Sequence, residues 1–251
     1  MQIKNLPAIT GRYWAAILAA SICGANTGDF LARKLQLGHQ HGLLPLAIFF
    51  GGILWAERRA KVTTEAFYWL AIIVVRTAAT NLADLATHDL KLGYGLVEPG
   101  LTLLLVGILL LGAIKGAPTA PPEIPLIGRA LPKTDAAYWV AMLTAGTLGT
   151  ASGDFVAHSI GLGSGSIITA MAYGIVLAVG ARGGGMSIIW YWTCIVAART
   201  AGTTVGDLVA RHLGLTLSTL CTGLLLIGVL TLWRDAPLRG AKTSRLTQPE
   251  A

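Results

Sequence analysis

Charge is scarce in this chain. Only 12% of its 251 residues are Asp, Glu, Lys or Arg, against about 25% in an ordinary soluble domain. With 54% hydrophobic residues, much of its surface must face lipid rather than water. Cysteine is almost missing: Cys23, Cys194 and Cys221 all sit in apolar runs. They offer neither metal-ligand spacing nor a disulfide framework, and read as small hydrophobes. Catalytic motifs are absent too. There is no Ser-His or Cys-His arrangement, no His-Glu-x-x-His and no phosphate-binding glycine loop, so an enzyme is not expected and no cofactor is implied. The net charge of +7 does not point to nucleic acid, because the basic residues lie in short loops between apolar runs. No cleavable leader is evident at the N-terminus, and the first apolar run is read as a spanning helix that stays in the protein.

What is present is a repeat. The pairs Tyr13-Trp14, Tyr68-Trp69, Tyr138-Trp139 and Tyr191-Trp192 each open an apolar run. Asp29, Asp84, Asp154 and Asp207 each follow the tryptophan of their repeat by 15 residues. Four matches at one spacing define an internal repeat. A spanning helix needs roughly 17–25 apolar residues. On that measure the chain is all-α, a polytopic membrane protein of eight transmembrane helices. Odd-numbered helices are expected near 13–32, 67–87, 137–157 and 190–210, and even-numbered ones near 42–56, 95–114, 165–181 and 215–233. Leu37-Gly38, Leu92-Gly93 and Leu162-Gly163 mark the reversals, with Leu215-Thr216 in the fourth repeat, so each repeat is expected to be a two-helix hairpin. The first half spans 1–115, with repeats 12–60 and 66–115. Residues 116–136, holding Pro118, Pro121, Pro122, Pro125 and Pro132, read as an extended linker. The second half spans 137–235, with repeats 137–182 and 190–235, and 236–251 is a basic tail.

Thirteen Lys and Arg fall in the N-terminus, the 2–3, 4–5 and 6–7 loops and the tail, against four on the opposite side. That bias places both termini in the cytoplasm and the aromatic pairs at the cytoplasmic interface, as anchors. Repeats one and three share Gly-Asp-Phe, whereas two and four share Arg-Thr-Ala and Asp-Leu. The pattern is A-B-A′-B′, all in one orientation, unlike the inverted repeats of many transporters.

The odd helices carry a polar stripe at every fourth residue: Arg76, Thr80, Asp84, His88 in the second and Arg199, Thr203, Asp207, Arg211 in the fourth. The third has Gly146, Thr150, Asp154 and His158; the first has Ser21, Ala25, Asp29 and Arg33, with Asn26 alongside, as Asn81 is on its own helix. Such spacing holds side chains on one slowly drifting face. Polar faces are costly in lipid and should turn inward, gathering the four aspartates into a ring about 22 Å along a roughly 30 Å core. Arg76 and Arg199 lie about 12 Å deeper, within reach of carboxylates on other helices. The even helices are apolar in their middles, and Glu98 beside Pro99 is the main exception. His39-x-His41 is a poor metal motif in a polar loop.

The four tryptophans and four aspartates, over about 12–233, carry a resemblance to a family of uncharacterised bacterial membrane-anchored proteins built from four tandem two-helix repeats. The resemblance implies an inner-membrane location and this architecture, and supplies no reaction or substrate. Ala83 departs from it, standing where the other repeats have glycine before aspartate.

The leading functional expectation is transport of a cation along the odd helices. Four carboxylates less two guanidiniums leave about −2 in a low-dielectric site, which suits a divalent ion as substrate, with Asp29, Asp84, Asp154 and Asp207 as its metal-binding residues. Asn26, Asn81, Thr80, Thr150 and Thr203 add oxygen donors, and His88 and His158 nitrogen donors. One alternative is a proton-coupled carrier of a small organic solute, with Arg76 and Arg199 holding an anionic group. Another is a scaffold or sensor whose stripes only fix packing. The expected partners are the lipid bilayer and a small ion or solute. A single bundle and a homo-oligomer both fit.

Overall fold

The computed structural model describes residues 7–61, 64–114, 134–182 and 187–233. The linker expected at 116–136 falls outside them except for its last three residues, and the basic tail falls outside them entirely. Eight α-helices make up the described chain: α1 Gly11–Asp29, α2 Gly38–Arg59, α3 Ala66–Asp84, α4 Tyr94–Ile114, α5 Ala136–Ile160, α6 Leu162–Arg182, α7 Ile188–Leu213 and α8 Leu215–Leu232. All eight stand where the apolar runs place them. Three of the odd helices start at a side-chain cap: Thr10, Asp135 and Ser187 accept from the backbone N–H of Tyr13, Tyr138 and Trp190. On α3 the corresponding Glu65 instead pairs with Arg12, at 3.0 Å.

Five helical stretches are long and apolar enough to cross a membrane: Gly11–Lys34, Ala66–Asp89, Tyr94–Gly112, Leu162–Arg182 and Leu215–Leu232. Their burial sorts them into two layers. The first two are 72% and 61% buried, the other three 11%, 22% and 17%. α1, α3, α5 and α7 form an inner ring in chain order, α7 returning to pack on α1. The even helices lie outside, presenting Leu44, Ile48, Leu103, Met171 and Leu224 outward. So extensive an exposed apolar surface is compatible with a membrane protein and unlike a soluble monomer.

The outer layer corrects the hairpin expectation. Each even helix packs chiefly on the odd helix of the next repeat: α2 on α3, α4 on α5, α6 on α7 and α8 on α1. Spacing along the chain cannot tell a helix that folds back on its predecessor from one that steps sideways.

The reversals need a second correction. The left-handed glycines are Gly38 (φ 68°), Gly93 (φ 67°), Gly161 (φ 85°) and Gly214 (φ 78°). In repeats one and two the glycine comes nine residues after the aspartate, but in three and four only seven. Leu162 and Gly163, expected at the turn, are already in α6, and Leu215 opens α8. The difference is a single π-helical turn that extends α1 and α3, Phe30–Lys34 and Leu85–Asp89. Leu35 N–H there reaches Phe30 O at 3.0 Å, and Leu90 N–H reaches Leu85 O at 2.8 Å. Near the axis the chain repeats as A-B-A′-B′, whereas at this end the two halves differ.

The aromatic pairs are not interface anchors. All eight side chains are buried. The four tyrosine hydroxyls close a ring across the bundle axis: Tyr13 to Tyr68 at 3.0 Å, Tyr68 to Tyr138 at 2.8 Å, Tyr138 to Tyr191 at 3.0 Å and Tyr191 to Tyr13 at 2.7 Å. Each tryptophan packs against the tyrosine of the preceding repeat, with centroids 5.7–6.0 Å apart. Four copies at one depth can satisfy one another's hydroxyls, so the pairs turn inward, an option a lone Tyr-Trp lacks. Tyr13→Phe breaks two of these bonds and leaves the buried hydroxyls of Tyr68 and Tyr191 with one ring partner each instead of two. It is expected to cost about 1–3 kcal/mol, read as thermal unfolding in detergent. Replacing all four tyrosines with Phe should cost less per residue, because no partner is left unmatched.

Candidate functional site

Along the inner ring, residues stack in layers set by their offset from tryptophan. Three positions on come Ile17, Ile72, Met142 and Ile195, all fully buried beneath the tyrosine ring. Seven on come Ser21, Arg76, Gly146 and Arg199; eleven on, Ala25, Thr80, Thr150 and Thr203; fifteen on, the four aspartates. The helices approach closely because small residues face the neighbouring helix between these layers. A Cβ added to Gly24 would lie 2.5 Å from the Cβ of Arg76, and one on Gly149 2.6 Å from that of Arg199. The glycine before each aspartate serves the same purpose lower down: a Cβ on Gly28 would meet Thr80 Cβ at 2.6 Å. Ala83, the departure from the pattern, is accommodated fully buried.

Asp29, Asp84, Asp154 and Asp207 line one cavity of about 410 Å³, together with Thr80, Thr150 and Thr203. Arg33 and Arg211 stand at its mouth. Arg33, exposed, lies 3.4 Å from Asp29. The cavity is closed at the far end by Arg199, the isoleucine–methionine layer and the tyrosine ring.

The two arginines fill the axis but do not reach the carboxylates. Both are fully buried. Arg199 donates from Nε to Thr150 Oγ1 at 2.8 Å, from Nη1 to Ser21 O at 2.7 Å and from Nη2 to Thr80 Oγ1. Arg76 crosses towards α5, its Nη1 about 3.5 Å from where a Cβ on Gly146 would sit. None of its three guanidinium nitrogens has a hydrogen-bond partner among the described residues. The small Ser21 and Gly146 leave room on the axis for the two long side chains, which is the physical content of the A-B alternation.

Other expected residues lie off the cavity. Asn26 is buried between helices, its Nδ2 3.4 Å from Thr222 Oγ1 on α8. Asn81 faces α2, where a Cβ on Gly42 would come 2.7 Å from its Nδ2. His158 is exposed, and His88, 57% exposed, sits 3.7 Å from Asp84 without lining the cavity. Among the described residues no three His, Cys, Asp or Glu side chains converge well enough to hold a metal ion.

Residues in roles the sequence does not suggest complete the site. His39, in the first turn of α2, places Nε2 3.4 Å from Asp84 Oδ2 and binds Asp89 through Nδ1 at 3.0 Å. Side-chain exposure falls from 45% at Asp89 through 18% at His39 to 8% at Asp84, so an imidazole links a surface carboxylate to a cavity carboxylate. The π turn of α3 carries Asp89, and no sequence signal announces that turn. The outer helices also clamp the ring. Ser166 donates to Thr204 O at 2.9 Å, and Thr169 and Thr204 hydroxyls meet at 2.7 Å. These hydroxyls are single polar residues in apolar runs, at positions where a helix stripe meets a neighbour.

No curated protein and no solved structure matches this chain. A family model does, at residues 12–63, 67–115 and 190–235, which correspond to the first, second and fourth repeats. The third, α5–α6, is not matched, yet it takes the same place in the ring. With three matches over more than half its length, the chain belongs to the family of the Repeat of Unknown Function (DUF347).

Proposed function

We propose that this is an eight-span inner-membrane protein, both termini cytoplasmic, that transports a cation through the cavity of its inner ring. The observation that carries this is the gathering of four carboxylates on one cavity of about 410 Å³ inside a ring of four helices of 19–26 residues. Ionisable groups at such depth are costly and are kept for ions, protons or solutes. The loop charges support the orientation: thirteen basic residues on the tyrosine side against four on the aspartate side. In that orientation the cavity opens away from the cytoplasm, and the tyrosine ring is the inner gate.

A second reading, a proton-coupled carrier, is favoured by His39. It bridges Asp89 and Asp84 as a proton relay between the surface and the cavity would.

Flux into proteoliposomes tests both. A cation-sensitive dye and a pH dye are read together for wild type and for Asp84→Asn combined with Asp207→Asn. Cation entry that falls by tenfold or more in the variant is the expected result. Proton movement that appears only with an added solute would favour the carrier. Silence in both dyes and in uptake of a labelled organic cation, with the protein shown to be folded, would leave a scaffold or sensor.

A further inference from the structure

The four carboxylates share a cavity but not a chemical state. Asp29 is met by Arg33 at 3.4 Å, and Asp84 by His39 at 3.4 Å and His88 at 3.7 Å. Asp154 and Asp207, on the adjacent helices α5 and α7, have no ion pair or hydrogen bond among the described residues. The first half of the ring therefore brings its own counter-charges. The second half makes no such close pair: Arg211 stands at the cavity mouth, and Arg199 is held by Thr150, Ser21 and Thr80.

A third group points the same way. Thr203 lines the cavity and is 2% exposed, and its Oγ1 has no hydrogen-bond partner among the described residues. It precedes Asp207 by one helical turn, so the two present oxygens on the same face of α7. Thr80 and Thr150, its counterparts on α3 and α5, already accept from Arg199. An unpaired buried hydroxyl costs free energy unless something in the cavity bonds to it.

The distribution of these oxygens bears on what kind of cation fits. A dehydrated divalent metal needs about six ligands at short, fixed distances around one point. Here no three acidic, histidine or cysteine side chains converge among the described residues. Six waters of hydration, at about 30 Å³ each, would occupy roughly 180 Å³, less than half of the cavity's 410 Å³. The volume falls instead in the range of about 300–1,000 Å³ typical of small-molecule sites. Ala25, Ala210 and Leu215 add apolar surface to the cavity lining, where methylenes can rest.

We propose that the cargo is an organic diammonium cation, bound with one amino group at Asp154 and the other at Asp207, where Thr203 Oγ1 accepts one of its N–H bonds. This rests on the cation reading of the same cavity and specifies the cargo. Each carboxylate takes one charged donor of its own, and the carbon chain lies against the apolar part of the cavity lining.

Binding to the purified, detergent-solubilised protein tests it without any need for flux. Calorimetry and thermal shift would compare 1,4-diaminobutane, 1-aminobutane, Mg²⁺ and Mn²⁺. The expected result is one diamine per chain, the monoamine at least tenfold weaker, and the diamine affinity lowered at least tenfold by Asp154→Asn. Thr203→Val, a near-isosteric change that leaves the carboxylates in place, should weaken it several-fold. Competition on the wild type guards against a variant that fails to fold: Mg²⁺ in excess should not displace the diamine. If Mg²⁺ or Mn²⁺ binds in an aspartate-dependent way and the diamine does not, the diammonium assignment falls while cation transport stands. If diamine binds equally to wild type and to folded Asp154→Asn, the assigned site is wrong. If neither class binds to folded wild type, both readings fall.

Discussion

Arg199→Met lowers the unfolding temperature of the protein, and Arg76→Met raises it. The two side chains sit at one level of the same ring, on opposite helices, and both are fully buried. Their surroundings differ. Arg199 donates to Thr150, Ser21 and Thr80, so removing it takes a charged donor from two hydroxyls and a carbonyl that were positioned for it. Breaking a buried charged network by removing one member costs about 3–5 kcal/mol. Arg76 has no hydrogen-bond partner for any guanidinium nitrogen among the described residues. Methionine is of similar length and needs none, and replacing a poorly compensated buried charge with an apolar group can stabilise by about 1–4 kcal/mol. In a chain of this size each kcal/mol moves the midpoint by about 2–4 °C. Calorimetry in detergent should therefore separate the two variants by more than about 10 °C. Equal losses at both positions would show that Arg76 is held as firmly as Arg199, and would sink the contrast.

Those arginines show what the sequence could and could not convey. A four-residue spacing on an apolar helix is enough to place Arg76, Thr80 and Asp84 on one face, and the cost of polar groups in lipid turns that face inward. The eight helices and the gathering of the aspartates follow from these two rules. Partner choice does not, because it depends on distances between helices. Coulomb's law alone would pair Arg199 with a carboxylate, yet the close helix approach at Gly149 brings Thr150 nearer. The tyrosines turn inward for a related reason. A single amphipathic ring at the end of a span belongs at the interface, and only the four-fold arrangement offers the inward alternative. The π turns were invisible because Phe30–Lys34 and Leu85–Asp89 contain no glycine or proline to mark them. They moved the glycine offset by two residues, and they carry Asp89 to His39. His39 itself stands 45 residues before Asp84 in the chain, so no local spacing could link them.

A thiol placed in the isoleucine–methionine layer should report whether the closed end opens. With Cys23, Cys194 and Cys221 first replaced by Ala or Ser, Ala210→Cys puts a thiol on the cavity wall and Met142→Cys puts one beneath the tyrosine ring. A charged, membrane-impermeant thiol reagent added from the aspartate side should modify the first freely. The second is sealed by four buried side chains and reacts only in the fraction of molecules whose end has parted. A minor state a few kcal/mol above the ground state is populated at about 0.1–10%, so the Met142→Cys rate should be roughly 10–1,000-fold lower. If the protein transports, adding its cargo should raise that rate, because alternating access must separate the layer. A Met142→Cys rate equal to that of Ala210→Cys would mean that the layer is no barrier. A zero rate under all conditions would make the ring a permanent floor and count against transport.

The sideways packing of the outer helices has a consequence for how the molecule is made. α4 belongs to the first half in sequence but covers α5 in the second, and α8, the final helix, covers α1, the earliest. The two halves are therefore clasped together through exchanged helices, and the connection between them is not what joins them. Each half alone would leave one inner helix uncovered and one outer helix without a seat. Halves produced as separate chains should then find each other and assemble, while either one by itself should be unstable. In the intact chain, α1 is synthesised before the other described helices yet lacks its outer cover until α8 has been made. The ring can close only once translation is nearly complete, which leaves the polar faces of the early helices waiting for partners that arrive last.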